Sequence, residues 1–87
     1  MSESSGLPAA QQRRIVRQLL GDIATRLETN RPDRPFTAVS RIAVIQATTM
    51  DPVLGRAVRD MAPDVHGETT RRAYAARLRR ILTGGAR

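Results

Sequence analysis

The 87-residue chain has no cysteine, no tryptophan and no lysine, and it holds one tyrosine, one phenylalanine and one histidine. Each scarcity closes a class of function. Without cysteine there is no disulfide, no thiolate nucleophile and no zinc-thiolate centre, and the redox compartment stays open though compatible with cytosol. With a single histidine, the only cluster that invites a divalent ion or a proton shuttle is Asp64-Val65-His66-Gly67-Glu68. One histidine between two acids in a turn reads more simply as solvated, and a real site would need ligands from elsewhere. Phosphate-cradling glycine loops are missing in both common forms, and no serine-nucleophile motif occurs. Ser40 and Thr69 have no general base beside them in sequence. We therefore expect no catalytic residue, no metal, no cofactor and no enzymatic activity.

Long apolar runs are also lacking. No segment approaches the ~20 residues of a membrane span, and the start, MSESSGLPAAQQRR, does not carry the apolar stretch of a signal peptide. The expectation is a cytoplasmic protein. The scarcity of aromatics leaves Leu, Ile, Val, Ala and Met to build the core, an inventory that suits helices. A chain this short buries only about 60% of its unfolded surface, and sharing an apolar face with a second copy is a common remedy. That argument favours a homodimer.

Arginine is what the chain has in excess: all fifteen cationic side chains are Arg, against eight acids, for a formal net charge of +7. Exclusive use of Arg reads most simply as the codon bias of a GC-rich genome. Its distribution is more telling. Residues 1–68 hold nine Arg and eight acids, whereas residues 69–87 hold six Arg and no acid, so +6 of the +7 lies in the last nineteen residues.

The apolar spacing predicts an all-α bundle of about four helices, over 9–28, 38–47, 52–61 and 70–82. These form one domain at 7–83, between a disordered start at 1–6 and a flexible end at 84–87. In the first helix Ile15, Val16, Leu19, Leu20, Ile23 and Leu27 recur at helical spacing and fill an arc of about 140°. Arg14, Arg17 and Glu28 fall on the opposite face. Two prolines, Pro32 and Pro35, break the pattern into a loop. Arg31 and Arg34 flank Asp33 there, a solvated turn that can add to a cationic surface.

Phe36–Met50 is ambiguous, being rich in β-branched residues yet without the alternation of a half-buried strand. We read a buried central helix capped by Thr37, with a strand over Ile42–Thr48 as the alternative. Asp51-Pro52 is a clear helix start, followed by an apolar face of Val53, Leu54, Ala57, Val58 and Met61.

The sharpest segment is the last, Thr69–Leu82, with sequence TTRRAYAARLRRIL. Tyr74, Ala75, Leu78, Ile81 and Leu82 share an arc of about 120° that can dock on a core, and arginines cover the rest. Thr69 or Thr70 can cap the helix start, yet Arg71 and Arg72 then sit beside the positive end of its dipole, where an acid is more usual. Guanidinium forks match phosphate oxygens, and neutralising several phosphates gives salt-dependent affinity. The expected function is therefore binding of DNA or RNA, as a regulator or accessory factor, through Arg71, Arg72, Arg77, Arg79 and Arg80 with Thr69 and Thr70. A solvated face of an ordinary helix is the plain alternative for this run.

A helix-turn-helix would pair the 52–61 and 70–82 helices, although the link through Pro63 is longer than the usual 3–4-residue turn. The other pairing, 38–47 with 52–61, has the tighter link but presents only Arg56 and Arg59. A rival from another class is a protein-interaction module. In it the Ile15, Leu19, Ile23 and Leu27 stripe meets a second copy or a partner helix, while the arginines engage an acidic protein. A basic amphipathic helix lying on a membrane is disfavoured because Trp and Phe anchors are missing from it.

Overall fold

The caps visible in the sequence set the helix starts. A computed structural model describes residues 8–84, which form α1 (Ala9–Thr29), α2 (Ala38–Thr48), α3 (Pro52–Met61) and α4 (Arg71–Gly84). Among the described residues there is no β-strand, only an isolated antiparallel bridge between Pro35 and Thr70. The Thr37 hydroxyl accepts from Ser40 N–H at 3.1 Å to open α2. Asp51 Oδ1 accepts from Val53 N–H at 2.8 Å and Leu54 N–H at 3.3 Å to open α3, with Pro52 in its first turn. Of the two candidate caps for α4, Thr70 serves, its hydroxyl accepting from Ala73 N–H at 3.1 Å. The expected termini at 1–6 and 84–87 lie outside the described residues, apart from Gly84, which closes α4.

Phe36–Met50 resolves as helix from Ala38 onward, and the strand alternative over Ile42–Thr48 does not form. Its expected position needs correction. α2 is not the buried central helix: only Val44 and Ile45 are buried in it, and Val39, Ile42 and Gln46 face solvent. The central element is α1, which packs against α2, α3 and α4. Being apolar nearly all round thus reflects one face on the core and another left uncovered.

The core joins Val16, Leu20, Ile23, Ala24 and Leu27 of α1 to Val44, Ile45, Val58, Tyr74, Ala75 and Leu78. Phe36 and Tyr74, the only two aromatic residues, meet at its centre with ring centroids 4.4 Å apart and planes tilted by 30°. Such a pair is worth about 0.5–1.5 kcal/mol beyond the area it buries. α1 and α4 run antiparallel: Arg71 Nε at the start of α4 donates to the Asn30 carbonyl just past α1, and Arg17 donates to the Leu82 carbonyl near the other end.

The expected helix-turn-helix of α3 with α4 is not the pairing that forms. No Cα of α3 lies within 8 Å of one in α4, whereas α2 and α3 pack together. The long α3–α4 connection lets α4 cross to α1 because its apolar arc finds the larger partner surface there. The first turn of α4 is also covered: Arg71 N–H donates to the Arg34 carbonyl at 2.9 Å and Arg72 N–H to the Pro32 carbonyl at 2.8 Å. These donors would otherwise be orphaned at a helix start.

Candidate nucleic-acid interface

The loop that stitches down the start of α4 also gathers charge there. Phe36 N–H donates to the Thr69 carbonyl at 2.9 Å, so the Asn30–Pro35 loop and the Thr69–Arg72 segment run side by side. Arg31, Arg34 and Arg71, from segments about forty positions apart, then line one polar hollow of about 460 Å³ with Asn30, Pro35 and Ser40. The Asn30 carbonyl holds Arg71 Nε at 2.8 Å, which orients the guanidinium plane. Asp33, the acid within the loop, pairs with Arg72 at 3.2 Å. Among the described residues no carboxylate forms an ion pair with Arg31, Arg34 or Arg71.

Arg31 is held at φ 52°, the only positive φ outside glycine among the described residues. A side chain in this left-handed region costs on the order of 1 kcal/mol. The turn it makes, with Arg34 N–H donating to the Arg31 carbonyl at 3.1 Å, brings both arginines to the hollow.

The other expected contact residues separate. Arg79 is bound within the chain, its Nε and Nη2 reaching the Glu28 carboxylate at 3.1 and 2.9 Å and Nη2 reaching the Thr25 hydroxyl at 3.0 Å. The Arg79 guanidinium holds the Glu28 carboxyl below the usual carboxylate range by hydrogen bonding and charge, and Glu28 in turn raises Arg79. Arg77 turns to the Asp64 carbonyl at 3.3 Å, away from the hollow. Arg80 is exposed toward the far end of α4, beside Thr83. Thr70 is occupied as cap, and the Thr69 backbone is tied to Phe36. The geometry thus brings together Arg71 and Arg72 with Arg31 and Arg34, and leaves Arg77, Arg79 and Arg80 elsewhere.

The stripe expected to meet a second copy goes mostly inward. Ile23 and Leu27 are fully buried in the chain's own core, and Ile15 and Leu19 are half-buried at its edge.

Sequence reasoning missed Arg41. Its Nε donates to the Pro63 carbonyl at 3.0 Å, and its Nη2 donates to the Arg59 and Ala62 carbonyls at 2.7 and 3.0 Å, with Asp64 at 3.8 Å. A guanidinium here closes the C-terminal end of α3, where free carbonyls and the negative end of the dipole favour a cation. The available signal was spacing: Arg41 lies three, four and seven positions before Val44, Ile45 and Thr48, on the inward face of α2. Among the described residues no three His, Cys, Asp or Glu side chains are grouped to hold a metal ion. No described helix is long and apolar enough to cross a membrane. In comparisons with protein-family models, curated proteins and solved structures, nothing matches this chain.

Proposed function

We propose that the protein binds the phosphate backbone of DNA or RNA through the cationic edge formed by the Asn30–Pro35 loop and the start of α4. It then acts as an accessory or regulatory factor and carries no catalytic site. One observation supports this above the rest: three arginines from two distant segments line one polar hollow, and among the described residues no acid pairs with them. Forked donors set around one depression suit the oxygens of a phosphodiester. Arg72 borders the same edge and exchanges its Asp33 partner for a phosphate at small cost, since both side chains are largely exposed.

Recognition in this reading is by backbone charge and not by a helix inserted in the major groove. The leading turn of α4 is covered by the Pro32 and Arg34 carbonyls, so it does not present a free end to base edges. Fluorescence anisotropy with a labelled DNA duplex and a labelled single-stranded RNA tests the proposal. Arg34→Gln with Arg71→Gln should weaken binding at least tenfold, whereas Arg77→Gln should change it less than twofold. Equal effects from the two variants would remove the loop and α4 start from the account.

A further inference from the structure

Among the described residues the exposed large hydrophobic side chains all lie on α2, α3 and the turn that joins them. Val39 is 76% exposed, Ile42 47%, Met50 95% and Val53 46%, although each is a large hydrophobic residue in a chain with few to spare. Ile42 and Met50 border a groove of about 370 Å³, floored by Ile45 and Gly55 and walled on the α3 side by Arg56 and Arg59. Gly55 keeps the floor low. A Cβ built there would meet only the Thr49 methyl at 3.8 Å, an ordinary contact, so a side chain at this position fits the backbone and fills the groove.

We propose that this groove binds an acidic amphipathic helix of a protein partner, with the partner's apolar residues in the groove and its carboxylates on Arg56 and Arg59. Both arginines are exposed, and neither forms an ion pair with Asp60 on the same helix. Asp51, the one acid lining the groove, is turned to the Val53 and Leu54 amides as helix cap. The wall is therefore cationic beside an apolar floor, the complement of a helix with an apolar stripe edged by acids. A second copy is a poor occupant, because it brings another net +7 and another Arg56 and Arg59 to the same face. Nucleic acid is a poor one too, since Ile42 and Met50 would lie against phosphates. A concave site also suits an inserted side chain better than a flat lipid surface.

The test uses the full chain and two synthetic helical peptides sharing one apolar stripe of leucines, flanked in one by glutamates and in the other by lysines. Methyl NMR of Ile42, Met50 and Val53, with titration, reads site and affinity together. The glutamate peptide should bind at least tenfold more tightly and shift the Ile42 and Met50 methyls. Gly55→Leu should lower its affinity at least tenfold with an unchanged or raised melting temperature. Ile42→Gln, on the exposed rim, gives a second reading should the leucine disturb folding. Arg56→Glu with Arg59→Glu should reverse the preference between the peptides. No binding at millimolar peptide, equal affinity for both peptides, or shifts confined to other methyls would overturn the proposal. So would concentration-dependent dimerisation that shifts these same methyls, or binding of phosphatidylserine vesicles that Gly55→Leu abolishes while peptide binding persists.

Discussion

The phenol of Tyr74 and the guanidinium of Arg41 donate to the same acceptor, the Pro63 carbonyl, at 2.6 and 3.0 Å. Through it α2 and α4 hold the connection between α3 and α4, two helices with no Cα atoms within 8 Å of each other. The connection carries a proline and a glycine, and its apolar anchorage is Ala62, buried in the core, with half-buried Val65. These two donors hold its course together with Arg77 on the Asp64 carbonyl and Phe36 N–H on the Thr69 carbonyl, and so help place Thr69 at the cationic edge.

Removing the phenolic donor alone should be tolerated. Tyr74→Phe keeps the ring against Phe36 and leaves Arg41 on the carbonyl, so the expected loss is about 0.5–1.5 kcal/mol. Urea unfolding of the variant measures it. A loss above about 3 kcal/mol would show that the phenol has a further partner.

Arg41→Met should cost more, about 2–4 kcal/mol, because three carbonyls at the end of α3 lose a charged donor together while the aliphatic stem is kept. Arg41→Lys should not restore it, since an ammonium lacks the planar fork that spans those acceptors. Combined with Tyr74→Phe, the effects should be non-additive, as expected for two donors on one oxygen.

Tyr74 also predicts an alkaline limit to stability. Burial raises its phenol above the ordinary value, outweighing the hydrogen-bonding and charge effects of Arg41 that pull it down. A raised folded value means that the folded state holds the proton longer than the unfolded state. The contribution is complete below the unfolded value of about 10 and is lost as pH rises through the higher folded value. As this is the only tyrosine, phenolate absorbance titrates it directly. The midpoint should lie above 10 in the folded protein and return to about 10 in denaturant.

The Glu28 and Arg79 pair acts at the other end of the pH range. Glu28 is depressed chiefly by its hydrogen bonds from Arg79. Its contribution is therefore present above the unfolded value and is lost as pH falls through the lower folded one. Glu28→Gln should flatten the acid limb of a stability-against-pH curve. It should also release Arg79 as an additional cation and raise nucleic-acid affinity at low salt, which an anisotropy titration reads directly.

Much of the fold was legible because its signals are local. Thr37 and Asp51-Pro52 mark helix starts within three residues of the amides they cap, and the Tyr74, Leu78 and Leu82 spacing shows which side of α4 docks. What depended on distant partners was not legible. Whether Ile42 faces core or solvent is decided by α1, and the pairing of Arg79 with Glu28 joins positions 51 apart. The candidate site divides along the same line: Arg71 and Arg72 were visible as a charge run, whereas their convergence with Arg31 and Arg34 required the loop to lie against α4. Arg31 at positive φ carried no signature, since the residues favoured there are Gly, Asn and Asp.

The most direct test of nucleic-acid binding at this edge is the salt dependence of affinity for a short DNA duplex, compared between the wild-type protein and Arg31→Gly with Arg34→Gln and Arg71→Gln. Glycine at position 31 relieves the left-handed backbone, so loss of stability does not mimic loss of binding. Each phosphate contact removed should lessen the slope of log K against log salt by about 0.9. The account predicts a slope shallower by about 2–3 in the triple variant, with affinity at low salt reduced at least tenfold. An unchanged slope, or no binding by the wild-type protein at low salt, would contradict it.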